Sequence, residues 1–257
     1  MNPGATPSLP ASIGGYPVTA LLSARAGRAT FAGYDPGSGR PLLLKLGSPS
    51  DALLAGLHHP HLVTLLAAGT DNGLPYSVLE WVAGRSLRAV LAEGTPPLAQ
   101  ALAWMAQLLV ALDYLHDAGV IHCDITPANL LIAAPALLKV TDFGLAARQG
   151  QGGSAAGTPA YMAPERMRGA PADARADLYG AGVVLYQLLT GRLPFEGNAG
   201  AVVQQALAAP LPPPSRQRPA LGPRYDAVLA RALARDPALR FQSARQFAAT
   251  LAGLPPD

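Results

Sequence analysis

The hydrophobic pattern of the chain changes near residue 82. Before this point the apolar residues come in short runs, as in YPVTALL, ATFAGY and PLLLKL, and the segment DPGSG at 35–39 is a strong hairpin signal. We therefore expect a three-stranded antiparallel meander over residues 16–46. A short helical segment at 50–58 is predicted next, and the runs HLVTLLAAG and LPYSVLEWV predict two more strands.

Helical periodicity dominates after residue 82. The segment 97–119 has apolar residues at helical spacing and ends on Gly119, a typical helix stop. Further helices are predicted at 173–190, 197–208, 223–235 and 243–253. The sequence thus predicts a disordered tail at 1–11. A small β-rich half at 12–82 and a larger helical half at 83–257 follow, forming one domain over 12–254.

Composition narrows the classes of function. No apolar run reaches the roughly 18 residues of a membrane helix, and the N-terminus lacks the basic start and apolar region of a signal peptide. A single cysteine suits a reducing compartment, so we expect a cytoplasmic protein with no membrane partner. The net charge is +3 and the basic residues are scattered, so we expect no nucleic-acid partner.

Two lysines, Lys45 and Lys139, stand out against seventeen arginines. Because the composition favours Arg wherever a generic positive charge is enough, a retained Lys is a candidate for a role that needs an ammonium group. Lys45 lies near the end of the apolar run PLLLKL, and from a strand there it would point into a cleft. The alternative is a strand-end Lys whose charged tip reaches solvent.

Five segments with polar motifs follow the long predicted helix. The stretch HCDITPANLL at 122–131 places Asp124 five positions before Asn129, and LLKVTDFGLA at 137–146 is a predicted strand running into Asp142. GTPAYMAPE at 157–165 and a predicted buried helix containing Asp177 come next, and Arg240 lies in RDPALRF. In this order and spacing, the segments resemble the eukaryotic-type protein kinase family, most closely bacterial Ser/Thr kinases, over residues 15–253.

This resemblance implies an α+β, two-lobed protein-kinase-like fold, with a small antiparallel β-sheet N-lobe and a larger, mostly α-helical C-lobe. It also implies transfer of the ATP γ-phosphate to Ser or Thr hydroxyls of a protein substrate, with Mg²⁺ or Mn²⁺ as the metal. By resemblance, Asp124 accepts the proton of the substrate hydroxyl and Lys45 holds the α- and β-phosphates. Asn129 and Asp142 are the implied metal ligands.

The resemblance assigns further residues to nucleotide binding and to the helical lobe. Adenine would bind the backbone of the connector from Glu80 to Val82, with Leu131 below it. A buried Glu165–Arg240 ion pair is implied in the helical lobe, and Asp177 would hold the catalytic loop.

The phosphate-binding part departs from the family pattern. The segment SARAGR at 23–28 stands where the family has a glycine-rich loop, so that Ser23, Arg25 and Arg28 occupy glycine positions. Leu43 replaces a small residue and could crowd the adenine. Thr126 replaces a Lys that touches the γ-phosphate. Either Arg25 or Arg28 supplies that missing charge, or both point to solvent.

The segment after Lys45 is also unusual. Only 13 residues separate Lys45 from His59, about half the family's usual number, so we expect a truncated helix C. The family's helix-C Glu, which pairs with the strand Lys, has no good counterpart. Ser50 aligns with that Glu, and Asp51 is the only acid in the segment.

Three functions compete at this point. The first is an active protein Ser/Thr kinase, favoured by the retained catalytic acids. The second is a pseudokinase acting as a nucleotide-sensing or scaffolding module, favoured by the lost glycines. The third, a small-molecule phosphotransferase, is disfavoured by GTPAYMAPE, Asp177 and Arg240, which resemble a protein-substrate platform.

Two smaller features have alternatives of their own. HHPH at 58–61 is either a metal cluster or an ordinary loop of this family, and its spacing matches no standard zinc site. Cys123 replaces an Arg that docks a phosphorylated activation loop in the family. It is either a redox switch or a small buried filler.

Overall fold

The computed structural model describes residues 9–25, 27–134, 136–151 and 156–254. Residues 1–8 of the predicted tail, and Ser154, lie outside the described residues. The chain divides into two compact units. The first comprises the described residues up to His58 together with Val63–Val82, and the second comprises His59–Leu62 and the described residues from Ala83 onward.

The first unit is built on a six-stranded antiparallel sheet with strand order β1-β2-β3-β4-β6-β5. Its strands are β1 Ser12–Ile13, β2 Tyr16–Arg25, β3 Arg28–Tyr34, β4 Pro41–Leu46, β5 Leu65–Asp71 and β6 Leu74–Glu80. The meander predicted over residues 16–46 is therefore confirmed as β2, β3 and β4. The local pattern was sufficient to predict this meander because each strand pairs with the next strand along the chain through a hairpin.

The strand register shows which side chains lie on each face of the sheet. Phe31 pairs with Leu44, which pairs with Val78, and all three are buried in one apolar cluster. One position along, Thr30 pairs with Lys45, which pairs with Ser77. Because side chains alternate along a strand, Lys45 lies on the face opposite the Phe31 cluster.

Two local predictions for this part of the chain are wrong in detail. The segment predicted as a helix at 50–58 is a 3-10 helix, Pro49–Leu54, and the described residues of the first unit contain no α-helix. The strand predicted from His61 begins only at Leu65. His61 and Leu62 belong to the second unit, where the Val140 N–H donates to the His61 carbonyl at 2.8 Å.

The second unit contains the α-helices of the described chain and five short strands. The helices are α1 Leu87–Leu91, α2 Leu98–Asp117, α3 Pro164–Met167, α4 Ala174–Thr190, α5 Ala199–Ala208, α6 Pro214–Gln217, α7 Arg224–Ala232 and α8 Ala244–Ala252. The strands are β7 Gly84–Ser86, β8 Val120–Ile121, β9 Leu130–Ala133, β10 Leu137–Val140 and β11 Ala147–Arg148. They form a sheet of order β10-β9-β7 and a pair β11-β8. The predicted α+β class, with an antiparallel sheet first and helices after it, is confirmed.

Helices α2 and α4 form the centre of the second unit. The α4 N-terminus is capped by Asp173, whose side chain accepts from the Arg175 N–H, and the helix ends at Gly191 with a left-handed φ of 76°. Helix α2 is long and apolar enough to cross a membrane by length and composition alone, but it packs against α4, α8 and β10. It has the contacts of a core helix.

Candidate active site

Residues 122–129 form the loop between β8 and β9, and Asp177 of α4 organises its start. The Asp177 side chain is 1% exposed and accepts the backbone N–H groups of His122 and Cys123, each at 2.8 Å. It also lies 3.0 Å from His116 Nε2. These contacts allow Cys123 to adopt a left-handed φ of 68°, which turns the chain toward Asp124. These contacts agree with the family resemblance, which implied that Asp177 holds this loop.

His122 connects this loop to the segment that carries Asp142. Its Nδ1 accepts the Asp124 N–H at 3.2 Å, so Nε2 carries the proton that is shared with the Thr141 carbonyl at 3.0 Å. Phe143 packs edge-on against the imidazole with ring centroids 4.7 Å apart, and both residues are fully buried. The imidazole therefore fixes two polar segments relative to one another.

Asp124 and Asn129 are in direct contact. The Asn129 Nδ2 group donates to the Asp124 carbonyl and to Asp124 Oδ2, both at 2.9 Å. Asp124 Oδ1 accepts the backbone N–H of Thr158 at 3.3 Å. The carboxylate is thus oriented by hydrogen bonds on both oxygens. The Thr158 contact comes from 34 residues away and had no signal in the sequence.

Asp142 follows β10 in a left-handed conformation, with φ of 62°. The Thr141 N–H donates to the Asn129 carbonyl at 2.9 Å, which ties the backbone before Asp142 to Asn129. Since Asn129 Nδ2 already donates to Asp124, its amide oxygen is the atom left for a cation.

The donor chemistry of this pair fits a hard divalent cation. An amide oxygen and a carboxylate suit Mg²⁺ or Mn²⁺, and two protein ligands leave coordination positions for phosphate oxygens. Within the described ranges, no group of three His, Cys, Asp or Glu side chains is arranged to hold a metal. In HHPH, His59 instead stacks on Tyr114 at 5.1 Å, and His61 Nδ1 lies 3.0 Å from the Leu138 carbonyl.

Thr126 and Cys123 occupy the two positions where the loop between β8 and β9 departs from the family pattern. Thr126 is 2% exposed, and its carbonyl accepts the Asn129 N–H at 3.0 Å. Burial, and then the neighbouring Asp177 carboxylate, raise the pKa of Cys123 to about 12. The thiol is therefore protonated at neutral pH, which favours the filler role over a redox switch.

In the first unit, Lys45 has an acidic partner. Lys45 Nζ lies 3.4 Å from Asp51 Oδ1, and both side chains are buried. The expectation that the helix-C Glu has no counterpart for Lys45 is therefore wrong. Asp51, the only acid in the segment, was the available signal. Alignment pointed to Ser50 because it assumes the position that the acid has on the family's long helix C. This segment instead forms the short 3-10 helix Pro49–Leu54.

The segment that stands in place of the family's glycine-rich loop lies at the ends of β2 and β3. Arg25 pairs with Arg28 at the ends of β2 and β3, and both residues are exposed. Gly27, the glycine in the turn, has a φ of 73°. Arginine side chains, rather than bare glycine backbone, thus flank this turn.

The residues assigned to adenine lie in separate elements. Leu43 is in β4 and is half-buried, and Glu80 ends β6. The Glu80 carboxylate accepts the Thr64 N–H at 2.9 Å and the Thr64 hydroxyl at 3.1 Å. Val82 is half-buried just after β6, and Leu131 lies in β9 of the second unit, also half-buried.

The Glu165–Arg240 pair implied by the resemblance is present. Arg240 donates two hydrogen bonds to the Glu165 carboxylate, at 2.7 and 2.6 Å, and is 1% exposed. It also donates to the carbonyls of Ala234, Arg175 and Arg235, so that the buried guanidinium is well satisfied. Its guanidinium lies 5.0 Å from the Tyr179 ring centre.

Comparison with known proteins gives one family. The protein kinase domain model matches residues 52–249. A probable serine/threonine-protein kinase of Corynebacterium efficiens is 41% identical over 212 residues, covering 76% of this chain and 32% of the relative. The serine/threonine-protein kinase PknB of Mycobacterium leprae is 38% identical over 220 residues, covering 79% of this chain and 35% of the relative. The chain spans about a third of the length of these curated relatives.

Proposed function

Because the chain belongs to the protein kinase domain family, we propose that it is an ATP-dependent kinase that phosphorylates Ser and Thr hydroxyls of a protein substrate. The observation that carries this proposal is the fixed orientation of the Asp124 carboxylate. Asn129 Nδ2 and the Thr158 N–H donate to its two oxygens, and Asp177 binds the backbone of the loop that contains Asp124. The names of the bacterial relatives support the Ser/Thr class.

In this proposal Asp124 orients the attacking hydroxyl and accepts its proton. Transfer of a phosphoryl group depends mainly on positioning and on neutralising charge, so a carboxylate oriented on both oxygens suits this task. Asn129 and Asp142 would hold the divalent cation, which would offset the charge of the phosphates when bound. Oxygen donors favour Mg²⁺ at cellular concentrations, and Mn²⁺ fits the same ligands.

Nucleotide binding is assigned to the residues that resemble the family's. Lys45 would hold the α- and β-phosphates as a fixed positive charge. The backbone from Glu80 to Val82 would bind the adenine edge, with Leu131 and Leu43 contacting the ring. Arg25 and Arg28, exposed at the ends of β2 and β3, are the candidates for an added positive charge beside the phosphates.

The expected partners and compartment follow from the family and from the cysteine content. We expect a protein substrate and ATP, with no nucleic-acid and no membrane partner. A chain with a single cysteine, Cys123, suits a cytoplasmic location.

A pseudokinase is the second candidate function, and the hairpin favours it. The Arg25–Arg28 turn carries side chains where the family has bare backbone over the phosphates. Such a protein would bind nucleotide or a partner and transfer no phosphate.

The deciding experiment is phosphate transfer by the purified chain. Radiolabelled ATP is supplied with Mg²⁺, with Mn²⁺ or with a chelator, and generic protein substrates are assayed for phosphoserine and phosphothreonine. We expect metal-dependent transfer that Asp124→Asn lowers by orders of magnitude. Asp117→Asn, on an exposed part of α2, is the matched control and should leave the rate unchanged. Absence of transfer under every condition would favour the pseudokinase.

A further inference from the structure

Lys45 and Asp51 form an ion pair in the interior of the first unit. The two residues lie six positions apart, and Lys45 Nζ is 3.4 Å from Asp51 Oδ1. The Lys45 side chain is 9% exposed and the Asp51 side chain 0%. Taking two charges out of water is costly, and apolar residues of similar size often serve stability as well or better. Stability alone therefore does not account for a buried ion pair at this position.

The segment between the two residues brings the acid back onto the sheet. Gly47 has a φ of 81°, and a Cβ there would lie 2.0 Å from the Gly27 carbonyl oxygen, so only glycine fits. The Gly47 N–H donates to the Pro75 carbonyl at 2.7 Å, which ties the link to β6. Leu54, 1% exposed, anchors the end of the 3-10 helix Pro49–Leu54, which packs against β5 and β6.

The environment of Asp51 leaves one carboxylate oxygen unmatched. Oδ1 faces Lys45, whereas Oδ2 is buried without a hydrogen-bond partner among the described residues. A buried carboxylate in this state depends strongly on the neighbouring ammonium group, since losing that group would leave an uncompensated charge.

We infer that Asp51 is the positioning residue that orients Lys45 toward the nucleotide phosphates, in place of an acid on a long helix. This inference rests on the proposed kinase function. The acid is carried by one short 3-10 helix bound to the same sheet as Lys45, so no long helix has to move to make or break the pair. Lys45 is therefore held in its working orientation whether or not nucleotide is present.

Steady-state kinetics of the full chain with Asp51→Asn test the inference. Misplacing a phosphate-binding group by about 1 Å costs on the order of 100-fold, so we expect kcat/KM for ATP to fall by about this factor. The loss should be mainly in kcat, and Asp51→Glu should recover part of it. In a Lys45→Met background Asp51→Asn should have little further effect, because Asp51 acts through Lys45. Asp35→Asn, in an exposed hairpin of the same unit, is the control and should match the unaltered chain.

A second measurement does not depend on phosphate transfer. Lys45 and Lys139 are the two lysines of the chain, so labelling with an amine-reactive reagent followed by peptide mass spectrometry reports each one separately. Asp51→Asn should raise the labelling rate of Lys45 severalfold and leave Lys139 unchanged, and Asp51→Glu should give an intermediate rate. Asp51→Glu also provides the comparison if Asp51→Asn does not fold.

The two measurements separate this inference from the proposed function. If the unaltered chain transfers no phosphate, the proposed function fails, and the labelling of Lys45 still decides whether Asp51 holds it. If Asp51→Asn folds and leaves both kcat/KM and Lys45 labelling at the values of the unaltered chain, the inference is overturned.

Discussion

The Asn129 side chain holds Asp124 at two points, donating from Nδ2 to the Asp124 carbonyl and to Oδ2, each at 2.9 Å. Because Nδ2 donates to Asp124, the amide oxygen of Asn129 is the atom that would bind a cation. One side chain therefore links the proposed base to the proposed metal, which makes Asn129 the most informative position for separating the two roles.

Asn129→Asp should impair phosphate transfer while keeping a side-chain oxygen for the proposed divalent cation. The amide donor to Asp124 is lost and a second carboxylate is placed beside the first, so we expect kcat to fall at least about tenfold. Nucleotide affinity in the presence of Mg²⁺ should change much less, as measured by fluorescence titration. A loss of nucleotide affinity with kcat unchanged would instead place Asn129 in nucleotide binding alone.

ATP should bind more weakly than to a kinase with a glycine-rich loop. In the proposed nucleotide site, the side chains of Arg25 and Arg28 would hold the backbone off the phosphates, and Leu43 would narrow the space for adenine. Leu43→Ala should tighten binding of ATP, measured by calorimetry, with Leu42→Ala in the core-facing cluster as a control for destabilisation. A submicromolar dissociation constant for the unaltered chain would contradict this prediction.

Breaking the Glu165–Arg240 pair should destabilise the second unit. The Arg240 side chain is 0% exposed, so Glu165→Gln leaves a buried guanidinium without its charged partner. We expect a loss of about 3 kcal/mol in the free energy of unfolding. Urea denaturation followed by circular dichroism measures it, and Arg245→Gln, an exposed pair member, should cost far less. Similar losses for the two variants would show that burial of the pair is unimportant.

Cys123 should be unreactive at neutral pH. Burial raises its pKa to about 12, so the thiol form predominates below that pH and only the thiolate reacts. Alkylation at pH 7.5 should therefore be slow in the folded chain and fast after denaturation. The raised pKa also means that folding opposes ionisation, so the contribution of this group to stability is complete below about pH 9 and is lost toward pH 12. Rapid alkylation of the native chain at pH 7.5 would contradict the burial of this thiol.

Phosphorylation of the activation segment should not be the on-switch. In the family an Arg before the catalytic Asp pairs with a phosphate on this segment, and here that position holds Cys123. Chain treated with phosphatase should keep its rate of transfer, measured on a generic protein substrate. An inert dephosphorylated chain that recovers with phosphate at Ser154 would overturn this prediction.

Local patterns in the sequence were sufficient for several features. The turn DPGSG between short apolar runs predicted the β3–β4 hairpin, because turn residues and alternation act over neighbouring positions. The helical period of residues 97–119 predicted α2 in the same way. The family resemblance picked out Asp124 and Asn129 together, and in the structure the Asn129 amide contacts Asp124 within one loop.

The remaining features depend on contacts that no local pattern encodes. His61 and Leu62 look like the start of a strand but pair with the segment that ends at Val140, far along the chain. The Thr158 N–H reaches Asp124 across 34 residues.

The partner of Lys45 shows the difference most clearly. The sequence by itself supplied Asp51 as the only acid in a segment too short for a full helix C. Which side chain meets Lys45 was decided by the tertiary structure, through the left-handed turn at Gly47 and the packing of a short 3-10 helix on β5 and β6. An ion pair depends on where two groups lie in space, and that position is determined by sheet register and turn geometry rather than by spacing along the chain.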